Sequence, residues 1–317
     1  MTPPLVSIIC TCYNHGEYIQ DALDGVADQH YFPLELIIID NASHDDSVNK
    51  IQLWIQNNHQ RISVNTMLHP HTLNYCQSFN KALAMAKGKY VIDLSGDDVL
   101  LPGHVAMAVK TLENHPYTVY FSNAYLEEVH KPLTTFYPVD DKQKPLREVL
   151  EGDIYQQVIQ RTILCPPTLV FPTQMLRNEG GYDEGLSYED FDIIVRLARK
   201  YNFVFNEHLG VKKRILKSSF SAQQYKVRSS VMLPSTLKVC HKIRRMNRSQ
   251  QEDQALGQRI LYETKHALAS ANFEIAAGFL DLAEEIGADG LRFRLLRMWE
   301  KLRLDLSFLY RYYIRFR

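Results

Sequence analysis

The sequence predicts an α/β fold with a mostly parallel sheet, followed by an all-helical C-terminal region. Apolar runs of strand length alternate with amphipathic helical segments over about the first 125 residues, which is the pattern of βαβ units. Beyond about residue 227 only helical periodicity recurs. A chain of 317 residues that is 45% apolar can bury the core of one large domain. We therefore expect a domain over residues 1–225 and a helical region over residues 226–317.

Each predicted strand is followed by a predicted helix. Ser43 is expected to cap the second helix and Gly88 to end the third. Residues 126–160 are polar and proline-containing, which is typical of a long loop. The strands are expected at 5–10, 34–40, 61–67, 90–94, 117–126, 165–172 and 203–205, with a helix starting near Tyr188 and a helical hairpin broken near Asn272.

Composition limits the functional classes. Lys+Arg and Asp+Glu are both 36, so the net charge of zero gives no argument for a nucleic-acid partner. The five cysteines show no paired framework, and Cys10 and Cys12 share one face of a strand as small buried hydrophobes. This usage indicates a reducing cytoplasm. No stretch approaches the ~18 apolar residues of a membrane-spanning helix.

Acidic residues follow the predicted strands at two places, and a third acidic pair starts a helix. They are Asp40, Asp97-Asp98 and Glu189-Asp190. Taken singly, each has an ordinary role as a helix cap, a turn residue or a partner of the helix dipole. Together on one α/β scaffold they favour a ligand site, because ligands of such sheets bind outside the carboxyl ends of the strands.

Asp97 and Asp98 pose a specific electrostatic problem. Two adjacent carboxylates repel each other unless a proton or a cation lies between them. Hard oxygen donors suit Mg²⁺ or Mn²⁺, which bind through one or two carboxylates plus substrate phosphates. The sequence has neither a P-loop lysine motif nor GxGxxG, so it predicts a divalent-metal diphosphate site of another kind.

Four segments in order resemble family 2 glycosyltransferases of the GT-A fold. They are "PLVSIICTCYNHGEYI", "LELIIIDNASHDDS", "LNYCQSFNKALAMAKGKYVIDLSGDDVLLP" and "GGYDEGLSYEDFDIIVRLARK". The resemblance covers roughly residues 3–221 and implies an inverting enzyme that uses a nucleotide sugar. The donor would be a UDP or dTDP sugar, and the acceptor a hydroxyl of a cell-surface glycan or glycolipid.

The resemblance also assigns roles to residues. It implies that Thr11, Asp40 and Asn41 hold the pyrimidine and ribose, with Tyr13 and Asn80 as further donor contacts. Asp97 matches the metal-binding acid of the family's DxD element, and Asp98 follows it. The pair Glu189 and Asp190 resembles the acids that supply the catalytic base, with Asp190 preferred.

Several positions depart from the family pattern. Ser95 replaces the first acid of DxD, and Phe79 stands where an arginine is often found. Leu216 occupies a usual histidine position beside Arg214, Ser219 and Ser221, with His208 as a nearby histidine. These departures keep open a non-catalytic nucleotide-sugar-binding subunit. A nucleotidyltransferase is disfavoured because "CTCYNHGEY" contains neither Lys nor Arg.

The C-terminal stretch 291–317 has eight basic and two acidic residues, a net of +6. Its apolar residues recur at steps of three and four, which predicts an amphipathic stripe. Two alternatives remain: the stripe packs on the catalytic domain or on a second subunit of a homo-oligomer, or it contacts the inner face of the plasma membrane. The stripe comprises Leu291, Leu295, Met298, Leu302, Leu306, Leu309, Tyr313 and Phe316.

Overall fold

The computed structural model describes residues 2–58, 60–217 and 219–315, without the side chains of 311 and 313–315. Its chain forms two compact units. The division predicted after residue 225 stays a prediction. The first unit comprises Met1–Ile154, Leu164–Glu184 and Arg196–Ile215, and the second comprises Tyr155–Ile163, Gly185–Val195 and Leu216–Arg317.

The first unit is built on one mixed sheet, with nine strands within the described residues. The strand order is β3-β2-β1-β4-β8-β6-β9-β5, and β7 pairs with β6. Neighbours from β3 to β4 are parallel, as are β6 and β9, whereas β8 is antiparallel to both β4 and β6. The strands are β1 (Val6–Cys12), β2 (Leu34–Asp40), β3 (Ser63–Leu68), β4 (Tyr90–Ser95), β5 (Val99–Leu100), β6 (Thr118–Glu128), β7 (Thr134–Thr135), β8 (Val170–Pro172) and β9 (Asn202–Ile215).

Helices lie between the strands as far as β9, and only helices follow β9 in the described residues, as the sequence predicts for the C-terminal region. Their bounds are α1 (Ile19–Ala27), α2 (Ser47–Asn58), α3 (Tyr75–Met85), α4 (His104–Asn114), α5 (Tyr155–Gln160), α6 (Thr173–Asn178), α7 (Asp190–Ala198), α8 (Leu233–Met246), α9 (Gln250–Ala269), α10 (Phe273–Glu285), α11 (Leu291–Leu302) and α12 (Ser307–Arg315).

Three boundary predictions were wrong. Ser43 does not cap α2, which begins at Ser47 with the Asp45 carboxylate accepting the Ser47 N–H at 3.0 Å. Gly88 does not end α3, which stops at Met85. The predicted loop 126–160 is also shorter, because β6 runs to Glu128 and α5 begins at Tyr155.

The core lies around β1 and β2, whose seven residues each are all buried. Such continuous apolar runs suit strands covered on both faces. Cys10 and Cys12 are fully buried in this core, as predicted. Burial raises the pKa of the Cys12 thiol to about 11, so both cysteines act as small hydrophobes.

A buried carboxylate at the start of β2 fixes the amino ends of three strands. Glu35 is 4% exposed and accepts hydrogen bonds from the Ser7 hydroxyl and the Lys87 N–H, both at 2.5 Å. The Gly88 N–H donates to Ser7 Oγ at 2.8 Å. A methyl group on Gly88 would meet Ser7 N at 2.5 Å, so this glycine is required by the close approach of two backbones.

The second unit is held by helices around a buried ion pair. Arg259 Nε lies 2.7 Å from Glu263 Oε1 within α9, and the Tyr225 hydroxyl donates to Glu263 Oε2 at 2.9 Å. The Arg259 guanidinium lies 4.2 Å from the Phe191 ring centroid. The hairpin of α9 and α10 turns at residues 270–272, as predicted near Asn272.

Six of the eight side chains of the predicted apolar stripe are exposed. Among the described residues, no helix is long and apolar enough to cross a bilayer. The stripe side chains of Tyr313 and Phe316 lie outside the description. The other six are exposed: Leu291 74%, Leu295 51%, Met298 54%, Leu302 57%, Leu306 38% and Leu309 56%.

We predict that Gly88→Ala lowers the free energy of unfolding by about 1–3 kcal/mol, because the added methyl group overpacks two backbones. Gly290→Ala is the control, since a methyl group there meets nothing within 4 Å. It should stay within about 0.5 kcal/mol of the wild type. Urea denaturation followed by circular dichroism measures both, and equal midpoints for the two variants would contradict the packing argument.

Candidate functional site

The carboxyl ends of β1, β2 and β4 meet at one edge of the sheet. Cys12 lies opposite Asp40 across β1 and β2, and Thr11 lies opposite Ser95 across β1 and β4. The Gly96 N–H donates to the Thr11 carbonyl at 2.8 Å. The sheet register therefore brings the predicted Thr11, Asp40 and the turn after β4 to adjacent places on this edge.

Two buried polar atoms at this edge have no hydrogen-bond partner among the described residues. They are Thr11 Oγ1 and Asp40 Oδ2, on side chains 5% and 1% exposed. The other Asp40 oxygen accepts the Ser43 N–H at 2.9 Å. Buried polar atoms are nearly always paired, so unpaired acceptors in a ligand-binding position indicate where a ligand donor fits.

The loops after β1 and β2 are cross-linked and held in an uncommon backbone conformation. The Asn14 N–H donates to Ser43 Oγ, and the His44 N–H donates to Asn14 Oδ1, both at 2.8 Å. Asn14 and Ala42 have positive φ angles of 55° and 63°. A left-handed alanine costs roughly 1–2 kcal/mol, and such strain tends to occur at functional sites.

The turn after β4 holds both predicted metal ligands. Asp97 and Asp98 are 8% and 3% exposed, and the Ser95 hydroxyl donates to Asp97 Oδ1. Asp98 Oδ1 accepts the backbone N–H of Arg214 at 2.9 Å. Burial, with the neighbouring Asp97 charge, raises the pKa of Asp98 to about 7 against the effect of that hydrogen bond.

Arg214 on β9 fixes this turn. Its side chain is 8% exposed and donates to the Asp97 carbonyl at 3.1 Å. It also pairs with Asp21 at 2.5 Å and Glu127 at 3.0 Å, and its guanidinium lies 5.1 Å from the Tyr18 ring centroid. One arginine thus joins α1, β6, β9 and the acidic turn within the first unit.

His15 is a site residue that the sequence analysis does not single out. Its Nδ1 is buried without a partner among the described residues, and a methyl group on Gly96 would come within 3.1 Å of it. The imidazole therefore lies against the Gly96-Asp97 turn. A loop histidine after a strand has no distinguishing sequence pattern, and only the position of Gly96 reveals it.

The acidic turn fits a divalent cation that is completed by a substrate. Within the described residues no group of three His, Cys, Asp or Glu side chains forms a metal cage. Mg²⁺ and Mn²⁺ sites in nucleotide-using enzymes need only one or two carboxylates, because phosphate oxygens supply further ligands. Asp97 would be the main ligand, with Asp98 beside it, since one Asp98 oxygen is already bound to Arg214.

Two predicted donor contacts act as structural clamps. The Asn41 amide donates to the Leu73 carbonyl and accepts its N–H, each at 2.9 Å. The Asn80 amide does the same with Tyr182, at 2.8 and 2.9 Å. Phe79 is fully buried and stacks on the Tyr182 ring at 4.2 Å between centroids. Any contact of these amides with a donor stays a prediction.

Two further polar residues lie near the site: Tyr13, whose predicted donor contact stays a prediction, and Asp93, which the sequence analysis missed. Tyr13 directly follows β1, with 42% of its surface exposed. Asp93 on β4 accepts the hydroxyls of Tyr75 at 2.7 Å and Tyr182 at 2.8 Å. Burial raises the pKa of Asp93 to about 6, which these hydrogen bonds oppose. The strand pattern around Asp93 predicts a turn two residues later and gives no sign of this cluster.

The two acidic residues predicted to supply the catalytic base lie in the second unit. Glu189 precedes α7, and its carbonyl accepts the Ile193 N–H at 3.0 Å. Asp190 is the first residue of α7, and its Oδ1 accepts the Phe191 N–H at 2.6 Å. Two residues on, Asp192 is 1% exposed and pairs with Lys242 at 2.6 Å. Burial and the Asp190 charge raise the pKa of Tyr188.

Comparison with known proteins identifies the family. The profile described as Glycosyl transferase family 2 matches residues 7–158, which include the edge of β1, β2 and β4. The chain carries a family 2 glycosyltransferase domain. An uncharacterized glycosyltransferase of Rickettsia prowazekii is 27% identical to this chain over 221 residues. That match covers 67% of this chain but only 64% of the Rickettsia protein.

Further relatives have the same kind of name. The glycosyltransferase GlyG of Streptococcus pneumoniae is 22% identical over 219 residues, covering 66% of this chain and 71% of its own. An uncharacterized glycosyltransferase of Methanocaldococcus jannaschii is 27% identical over 221 residues. That match covers 68% of this chain and 72% of the Methanocaldococcus protein. Residues 7–158, which match the family profile, contain seven of the nine predicted site residues. The other two, Glu189 and Asp190, lie outside the matched range.

Solved structures confirm the GT-A fold. Residues 1–349 of S. aureus TarS, solved in complex with UDP-GlcNAc, match with a TM-score of 0.69 at 16% identity, over 96% of this chain and 91% of the TarS fragment. A mannosyltransferase from Pyrobaculum calidifontis, solved with GDP-Man and Mn²⁺, has a TM-score of 0.61 at 18% identity. The match covers 96% of this chain and 85% of the mannosyltransferase chain. Identities this low establish the fold only.

We predict that Arg214→Met lowers the free energy of unfolding by about 1.5–3 kcal/mol, the range for hydrogen bonds to a charged group. Lys212→Met is the matched control, because Lys212 lies on the same strand and pairs with the same Glu127 at 3.3 Å, but with 28% of its side chain exposed. It should change stability by less than about 1 kcal/mol. Denaturant midpoints decide, and equal losses in both variants would show that Arg214 is no special anchor.

Proposed function

We propose that the protein transfers a sugar from a UDP or dTDP sugar to an acceptor hydroxyl, with inversion at the anomeric carbon. The observation that carries the donor class is the pair of unpaired buried oxygens, Asp40 Oδ2 and Thr11 Oγ1, beside the Asp97-Asp98 turn. Unpaired polar groups that can bind a base, next to carboxylates that can bind a metal, suit a ligand with a base at one end and a diphosphate at the other.

Uracil and thymine each carry one ring N–H between two carbonyl groups. Asp40 Oδ2 can accept that N–H, while Thr11 Oγ1, as a hydroxyl, can donate to a ring carbonyl. Burial strengthens both hydrogen bonds because water does not compete for the two side chains. TarS, which was solved with UDP-GlcNAc, supports a uridine donor, whereas the mannosyltransferase shows that this fold also accepts GDP-Man.

The leaving diphosphate gains negative charge as the anomeric bond breaks. A divalent cation bound by Asp97 and Asp98 would supply Lewis-acid stabilisation of that charge. Arg214 holds the turn rigid, so the two carboxylates keep their positions as the charge develops. The His15 imidazole, which lies against Gly96, is a further donor for a diphosphate oxygen when it is protonated at Nδ1.

The acceptor hydroxyl must lose a proton as it attacks. We assign that proton to the Asp190 carboxylate, with Glu189 as the neighbouring acid. Base catalysis by Asp190 without a covalent enzyme intermediate would give direct displacement through an oxocarbenium-like state, and hence inversion. The Asp190 carboxylate has one oxygen on the Phe191 N–H, which fixes its orientation at the start of α7.

The acceptor is proposed to be a glycan or glycolipid in cell-surface polysaccharide synthesis. The protein would then act in the cytoplasm, at the inner face of the plasma membrane, through a peripheral contact of residues 291–317. The alternative is that residues 291–317 contact a second subunit of a homo-oligomer.

We predict that the protein binds UDP or dTDP at least tenfold more tightly than GDP in the presence of Mn²⁺ or Mg²⁺. Isothermal titration with each free nucleotide, with and without metal, measures this. Asp97→Asn should remove the metal-dependent part of the affinity, and Asp141→Asn, at an exposed loop acid, should keep it. Tighter binding of GDP would contradict the pyrimidine assignment, and metal-independent binding by the wild type would contradict the metal.

We predict that Asp190→Asn lowers kcat by about 10²–10⁴-fold, the usual contribution of a general base, with donor affinity little changed. Nucleotide release from a UDP-sugar panel in the presence of candidate acceptors measures kcat. Glu189→Gln is the matched control and should keep most of the activity. The reverse pattern would exchange the two roles, and full activity of both variants would exclude either acid as the base.

A further inference from the structure

Helix α11 exposes a continuous apolar face that we call the α11 ridge. It is formed by Leu291, Leu295, Met298 and Leu302, whose exposed fractions are 51–74%. At about 100° per residue these four side chains fall within an arc of roughly 60° on the helix. The ridge is therefore one outward strip of large apolar side chains, which is uncommon on the surface of an isolated monomer.

The ridge is bordered by cations on both sides. By the same helical spacing, Arg292 lies on one flank, and Arg294 and Lys301 lie on the other. All three are exposed. Glu300, the acid of this helix, falls on the opposite side. The ridge and its flanks thus form an apolar strip between two positive borders, with the acid turned away from it.

The ridge faces outward because the other side of α11 is anchored. Leu296 is 7% exposed, and α11 packs against α9 and α10. Arg297 pairs with Asp281 at 2.9 Å and Glu284 at 3.1 Å. The inner face is already occupied within the second unit, so rotating the helix to bury the ridge would break these contacts.

The residues after α11 include further exposed apolar side chains. Tyr310 on α12 is 8% exposed and shares a 2.6 Å hydrogen bond with His266 Nδ1, so α12 is also anchored. The side chains of Arg311, Tyr313 and Arg315 lie outside the description, as do Phe316 and Arg317. The exposed apolar residues of this segment are Leu304 53%, Leu306 38%, Phe308 66%, Leu309 56% and Tyr312 68%.

We propose that the α11 ridge docks on the interface of an anionic lipid bilayer, with its apolar side chains among the acyl chains and its flanking cations at the headgroups. The arrangement is that of a helix lying in the membrane plane. Charge complementarity favours lipid over a second copy of the chain. In a symmetric pair of ridges the cationic flanks would face each other, whereas anionic headgroups attract them.

This inference extends the membrane contact of the proposed function, but its test does not depend on glycosyl transfer. The full chain is mixed with vesicles of phosphatidylcholine alone or of phosphatidylcholine with phosphatidylglycerol, and flotation measures binding. We expect binding to the anionic vesicles at low salt, and weak binding to the neutral ones. Salt should weaken the binding, because it screens the contribution of Arg292, Arg294 and Lys301.

The deciding variant is Leu295→Ser with Met298→Ser. It should reduce flotation at least tenfold while UDP binding stays unchanged, which separates this inference from the donor assignment. The matched control is Leu53→Ser with Leu133→Ser, at exposed leucines elsewhere (60% and 53%), and it should float like the wild type.

Two outcomes overturn the proposal. In the first, the wild type stays with the soluble fraction, or the ridge variant floats as well as the control. In the second, light scattering shows that the wild type is a dimer and the ridge variant a monomer, and neither protein floats with vesicles. That result would mean that a second copy of the chain covers the ridge.

Discussion

The candidate site depends on the hydrogen bonds of one buried arginine. Asp97 and Asp98 are adjacent, nearly buried and mutually repulsive, so the turn that carries them needs a fixed positive partner. Arg214 provides it with one backbone N–H to Asp98 and one guanidinium N–H to the Asp97 carbonyl. Its remaining donors reach Asp21 and Glu127, so α1 and β6 share the restraint. These contacts hold the acidic turn in place at the carboxyl ends of the strands.

Local patterns predicted the elements of the fold well. The apolar runs at β1 and β2 are buried throughout, as continuous runs predict, and the alternation of strands and helices gave the α/β class. The errors arose from contacts between distant residues. Ser43 meets Asn14, and Gly88 meets Ser7 and Glu35, so their roles were decided by neighbours 29 to 81 residues away. No local propensity contains that information.

The site was predicted in part. The strand-end acids lie where the pattern of βα units puts them, because the carboxyl ends of parallel strands share one edge. Asn41 and Asn80 look from the sequence like ligand contacts, yet their amides pair with the backbone of Leu73 and Tyr182. His15 and Asp93 were missed since their roles come from Gly96 and two tyrosine hydroxyls, which only the folded chain brings close.

The pairing of β5 has a consequence for the timing of synthesis. In the described sheet β5 has β9 as its strand neighbour, with Val99 opposite Lys212, and the acidic turn lies just before it. A ribosome that adds about 5–20 residues per second needs roughly 6–23 s to proceed from Asp98 to Arg214. For that interval the emerging chain carries its acidic turn without the arginine. The acidic turn is therefore among the last parts of the first unit to be completed. A nascent chain stopped before β9 would contain the strands of the candidate site without the Arg214 hydrogen bonds that hold the turn.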